Sequence, residues 1–202
     1  MQVSSRRVAG AALVVGTVAL GATGIGASAK TAAPTVAAAG QTTVNGKLIT
    51  RTRGTLAPGS TVRSSTLGQR VFTDATHGFA LASAGQATYP AATSNGGRTW
   101  KTNGPALHVD AAQAPLAVTS LGAAGRRLIF AYGSGQVIDA TGDGGRHWYR
   151  AIFNGEPMAV VRNTRGHLVG FVDGEVGNGG TWQYVSKNGG RTWRVDNTVG
   201  GS

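Results

Sequence analysis

Three octapeptides in this 202-residue chain align without a gap, and no other feature limits the fold as strongly. They are Thr93-Ser94-Asn95-Gly96-Gly97-Arg98-Thr99-Trp100, Thr141-Gly142-Asp143-Gly144-Gly145-Arg146-His147-Trp148 and Ser186-Lys187-Asn188-Gly189-Gly190-Arg191-Thr192-Trp193. The shared pattern is [S/T]-x-[D/N]-G-G-R-[T/H]-W, and the copies begin 48 and 45 residues apart. Self-similarity at such a period is the mark of a repeat architecture.

Each residue type has a turn-building role. Asn95, Asp143 and Asn188 can accept bonds from the backbone N–H groups that follow them and tolerate left-handed conformations. Gly97, Gly145 and Gly190, each with a glycine before it, supply positive φ without steric cost. The hydroxyls of Thr93, Thr141 and Ser186 can tie down the turn from its other side. Thr99, His147 and Thr192 then lead into Trp100, Trp148 and Trp193, which start the outgoing strand and bury a large ring. The unit therefore reads as a tight hairpin with no catalytic duty.

The flanks read as strands. Runs rich in β-branched and aromatic residues precede each copy at 78–81, 128–132 and 167–172. Further runs lie at 69–72, 116–119 and 158–161, and a third set abuts the turns at 87–89, 136–139 and 182–185. With the strand that begins at each closing Trp, every unit offers four short strands in about 45 residues, the content of one propeller blade. No segment has a convincing helical period. The fold class expected is all-β, with propeller-like blades of four antiparallel strands over 69–198. Three units make a small or incomplete ring of about three to four blades, which leaves self-association open.

The octapeptide resembles the Asp-box, or BNR repeat, of the sialidase-like superfamily and other β-propellers of the WD40/YVTN/BNR-like kind. The stretch Val71-Phe72-Thr73-Asp74-Ala75-Thr76-His77-Gly78-Phe79-Ala80-Leu81 resembles blade openings of photosystem II assembly factor-like propellers. The resemblance implies boxes on the outer rim, between third and fourth strands, acting as scaffold. Two of the three copies carry Asn where the box has Asp, and Asn keeps the turn bonding. The resemblance does not extend to sialidase chemistry. That family uses an arginine triad, a Tyr–Glu nucleophile pair, an Asp acid and an F/Y-R-I-P tetrapeptide, and the tetrapeptide is absent here.

Other catalytic constellations are also missing. Asp173 and Glu175 stand two apart in a Gly-rich loop, which reads as solvated rather than as a glycosidase pair. Asp74 reads as the cap of its own turn beside His77. His108, His147 and His167 have no metal-ligand spacing, and zero Cys removes thiolate chemistry and disulfides. No cofactor is expected.

Arg6 and Arg7, the uncharged run 8–25 and Ala27-Ser28-Ala29 form the tripartite pattern of a secretory signal peptide over 1–29, cleaved near Ala29. Retention as an anchor is the alternative. Ser5-Arg6-Arg7 also resembles a twin-arginine start, which Val8-Ala9-Gly10 matches poorly. Residues 30–41 read as an Ala/Thr/Pro linker. Residues 42–68 form a basic segment that could complete a partial blade.

The formal charge is +11. Residues 30–70 hold Lys30, Lys47, Arg51, Arg53, Arg63 and Arg70 without an acid. Lys47, Arg51, Arg53, Arg63 and Arg70 are therefore candidate contacts to an anionic partner. Arg98, Arg146 and Arg191 read as solvated turn tips, with a ring of guanidinium groups for an anion as the alternative. Nucleic acid is not expected, given export and the lack of interleaved aromatics. The function expected is a secreted, non-enzymatic binding or scaffold protein for a protein or an anionic polysaccharide of the cell envelope, with no stable membrane span after cleavage. The alternatives are a glycoside hydrolase with a degenerate site and an assembly factor for an extracytoplasmic complex.

Overall fold

The computed structural model describes residues 42–50, 54, 56–108, 118–133, 135–174 and 180–199. The signal-peptide and linker readings, Arg51, Arg53, Glu175 and Leu116-Ala117 lie outside the described residues.

The described chain is all-β, with a single 3-10 turn at Ser64–Thr66. Three short strands come first: β1 (Thr43–Asn45), β2 (Lys47–Leu48) and β3 (Thr61–Val62). Then come β4 (Leu67–Phe72), β5 (Gly78–Ala84), β6 (Ala87–Thr93) and β7 (Trp100–Thr102). The second repeat gives β8 (Ser120–Ala124), β9 (Leu128–Tyr132), β10 (Val137–Thr141) and β11 (Tyr149–Ile152). The third gives β12 (Pro157–Arg162), β13 (Leu168–Asp173), β14 (Thr181–Ser186) and β15 (Thr192–Val199).

Each group of four pairs in chain order as an antiparallel meander. A fifth strand then joins the outer edge of each sheet from the N-terminal segment. β1 lies beside β15, β2 beside β11 and β3 beside β7. β1, β2 and β3 thus join the third, second and first sheets in turn, and the described residues of 43–62 assemble no fourth sheet of their own. Unpaired edges invite pairing with other chains, and this segment covers three of them. None of the three sheets closes on itself.

One strand differs from the sequence expectation. The first strand of the second repeat is Ser120–Ala124, with Val118 and Thr119 ahead of it. Its small residues gave a weak signal, but Gly122 has a packing reason. A Cβ on Gly122 would lie 2.3 Å from the Phe130 ring of the neighbouring strand.

The core lies between the sheets. Trp148 packs with Phe79 and Leu81 of the first sheet and Ile129 and Val137 of its own. Trp193 packs with Phe130, Ile138 and Ala140 of the second sheet. Each of these rings therefore faces the sheet that precedes it in sequence. Trp100 has no preceding sheet. It is covered by Val62 and Leu56, and Phe72 meets it edge-on at 5.9 Å. All three indoles are fully buried, which contributes about 5 kcal/mol each before ordering entropy.

A buried ion pair adds a polar pin between repeats. Arg150 donates from Nε to Asp139 Oδ1 at 2.8 Å and from a terminal nitrogen to Oδ2 at 2.6 Å. The same guanidinium also donates to the Leu107 carbonyl, on the segment leaving the first sheet. Burial pushes the Asp139 carboxyl up, and Arg150 works against that shift.

Candidate anion-binding rim

The octapeptides build their turns from the same bonds. Thr93 Oγ1 donates to Asn95 Oδ1 at 2.9 Å and accepts from the Gly97 N–H at 3.0 Å. Thr141 does the same with Asp143 and the Gly145 N–H, and Ser186 with Asn188 and the Gly190 N–H. The carboxyl or amide oxygen then accepts from the backbone of Thr99, His147 or Thr192. All six glycines in the Gly-Gly pairs have positive φ, from 67° at Gly189 to 97° at Gly145. Trp100 and Trp193 donate from Nε1 to the carbonyl of the second glycine in their own box. Trp148 instead donates to the Asn103 carbonyl of the first repeat at 2.9 Å.

The second box holds a charged variant of the turn. Burial pulls the Asp143 carboxyl up, but bonds from the His147 ring, the His147 N–H and Thr141 outweigh it and hold the pKa down to about 2. His147 Nδ1 lies 2.6 Å from Asp143 Oδ2.

Register places these boxes at one end of the molecule together with a second set of turns. Phe72 pairs with Gly78 and Gly78 with Thr93, so the β4–β5 turn and the first box share an end. Ala124, Leu128, Ile129 and Thr141 repeat this in the second sheet, and Arg162, Leu168 and Ser186 in the third. Hydrogen bonds join the two sets: Gly96 N–H to Thr76 O and Gly144 N–H to Arg127 O, both 2.9 Å.

This end is strongly basic. It gathers Arg98, Arg126, Arg127, Arg146, Arg162, Arg165, Lys187 and Arg191, all exposed, against only Asp74 and Asp143 among the described residues. Both carboxylates are engaged. Asp74 accepts from the Thr76 and His77 N–H groups, its Oδ1 lies 2.9 Å from His77 Nδ1, and Arg126 reaches its Oδ2 at 3.1 Å. The His77 ring and the backbone donors hold the Asp74 carboxyl far below the usual carboxylate range. At the opposite end the β5–β6 and β9–β10 turns carry no Lys or Arg among the described residues, Glu156 and Asp173 lie there, and Arg63 beside the 3-10 turn before β4 is the cation nearest them in the first sheet. The charge is polarised along the strands.

The candidate contacts read from the N-terminal segment do not form one patch. Lys47 is exposed on β2, at the outer edge of the second sheet. Arg63 and Arg70 flank the 3-10 turn beside the first sheet, and Arg70 donates to Ser64 O at 3.1 Å. The box arginines converge with residues that the sequence reading did not single out as sites: Arg127, Arg162, Arg165 and Lys187. Arg191 lies over the Tyr149 ring at 5.0 Å from its centroid.

Among the described residues, no group of three or more His, Asp or Glu could hold a metal ion, and no helix is long and apolar enough to cross a membrane. No protein-family model matches the chain, and no curated protein sequence matches it.

Proposed function

We propose that this chain is an exported, non-enzymatic β-propeller-like protein whose Asp-box blades present a basic rim to an anionic polysaccharide. The blade reading draws support from three features together. Each octapeptide sits between the third and fourth strands of a four-stranded meander. The boxes share one bonding pattern, and the later two closing Trp rings pack on the preceding sheet.

The observation that carries the functional reading is the polarised charge. Eight exposed cations at one end face two carboxylates that already have partners. Clustered like charge works against the compact state unless a counter-charge answers it, and a polyanion supplies that at screened, salt-dependent range. Turn tips held by a fixed network present those charges with little ordering left to do.

The test is retention of the full chain on dextran sulfate beads and on neutral dextran beads, at about 50 mM and about 500 mM salt. The Debye length shortens from roughly 13 to 4 Å across that range. Retention on the sulfated matrix at low salt only is the expected result. Equal retention on neutral dextran, or none on either, overturns the proposal.

A further inference from the structure

Between the second and third boxes lies a cleft of about 480 Å³. Arg127 enters it from the β8–β9 turn, Arg162 from the end of β12, and Lys187 and Arg191 from the third box. Gly142 and Gly189 line it where the two boxes meet. The one carboxylate, Asp143, spends its oxygens on Thr141 and His147 of its own turn. None of the four cations forms an ion pair among the described residues.

Two of the guanidinium groups are held in place by the fold. Arg191 rests on the Tyr149 ring. Arg162 lies over the β12–β13 turn, where a Cβ on Gly166 would be 3.2 Å from its terminal nitrogen. Stacked or packed guanidinium forks lose less freedom on binding than free ones. Three forks and one ammonium offer more donors than a single carboxylate can accept. A tetrahedral oxyanion has the oxygens and the charge to engage several forks at once.

We infer that this cleft is a subsite for a phosphate or sulfate ester group on the bound polymer, selected over a carboxylate. The inference rests on the anionic-rim reading and names the chemistry of its ligand. Main-chain donors are not required, since the side chains suffice in number. The close glycine contact keeps Lys187 and Arg191 of the third box near Arg127 of the second sheet, on opposite walls of one cleft.

The test is amide NMR of the full chain titrated separately with sodium tripolyphosphate, sucrose octasulfate and trigalacturonate. Shifts concentrated at Gly142, Asn188 and Gly189 are expected with the first two probes, and trigalacturonate should bind at least about tenfold more weakly. The tighter of the first two probes, one carrying phosphoryl and the other sulfate groups, names the source of the group. The double variant Arg162→Gln/Lys187→Gln should weaken that binding at least about tenfold, whereas Lys47→Gln/Arg63→Gln, outside the rim, should leave it within about twofold. All four positions are exposed, so circular dichroism should match the parent. Shifts confined to other turns, or equal binding of trigalacturonate, overturn the cleft and leave the rim reading standing. Failure of every polyanion to bind overturns both.

Discussion

Gly142 and Gly189 meet backbone to backbone: a Cβ on Gly189 would stand 2.7 Å from Gly142 Cα. No side chain other than hydrogen fits there without movement. The contact joins the second and third boxes and lines the basic cleft between them. Gly189 also sits at φ +67°, so two penalties fall on one residue. Gly189→Ala should therefore lower stability by about 1–3 kcal/mol. Gly142→Ala meets Gly189 Cα at a looser 3.3 Å and should cost less, below about 1 kcal/mol. Urea unfolding midpoints of the two variants check the order, and the reverse order contradicts this contact.

The glycines of different boxes should not be equivalent. A Cβ on Gly145 would lie 2.3 Å from Asn103 Nδ2 and 2.6 Å from Asn103 O, the carbonyl that Trp148 also needs. A Cβ on Gly97 would meet the tip of the Phe72 ring at 3.3 Å and the Trp100 ring at an ordinary contact distance of 3.6 Å. Both positions have positive φ. Gly145→Ala should cost about 2–4 kcal/mol and Gly97→Ala about 1–2 kcal/mol. Thermal unfolding of the pair measures the gap.

Asp139 and Arg150 give a test of the pin between repeats. Asp139→Ala leaves a largely buried guanidinium with only the Leu107 carbonyl and should cost about 3–5 kcal/mol. The double variant Asp139→Leu/Arg150→Met removes both charges and should fall within about 1–2 kcal/mol of the parent. Chemical denaturation of both variants separates a paired from an unpaired buried charge. A double variant as damaged as the single one would show that the pair's shape, not its charge balance, matters.

Acid should act partly through the second box. Asp143 is held near 2 when folded, below its unfolded value of 3.8. A folded pKa below the unfolded one gives stability that is complete above the unfolded value and is lost as pH falls towards 2. Asp143→Asn copies the first and third boxes, so it should fold normally at pH 7. It should also flatten the fall in melting temperature between about pH 4 and pH 2. Because the Asp143 side chain is only partly buried and its partner His147 is exposed, the change should be a few degrees at most. An unchanged acid slope would contradict the Asp143–His147 bond.

The repeats were legible because their residues speak locally. Leu128–Tyr132 and Val137–Thr141 carry β-prone runs, and the Gly-Gly pairs announce positive φ. Ser120–Ala124 was not legible, since Gly122 is chosen by the Phe130 ring of another strand rather than by strand propensity. The path of 43–62 past three sheets was also hidden. Strands of two and three residues pair through backbone groups on an exposed edge, which side-chain pattern does not encode.

The rim was half legible. Arg98, Arg146 and Arg191 recur with the motif, but Arg127, Arg162 and Arg165 belong to a different turn of each meander. A four-stranded meander puts its first and third turns at the same end, and that arithmetic would have joined them. The basic N-terminal residues dominated by count along the chain. Folding then separates Lys47 on the second sheet from Arg63 and Arg70 beside the first.

The most direct test of the account is the salt dependence of affinity for dextran sulfate in two variants of equal charge. One replaces Arg98, Arg146 and Arg165 of the rim with Gln, and the other replaces Lys47, Arg63 and Arg70. A polyelectrolyte contact contributes roughly 0.7–0.9 to the slope of log affinity against log salt. The rim variant should lose about two of these units and at least about tenfold in affinity at 50 mM salt, with the segment variant close to the parent. Equal losses in the two, or a larger loss in the segment variant, would contradict a binding surface at the end that carries the octapeptide turns.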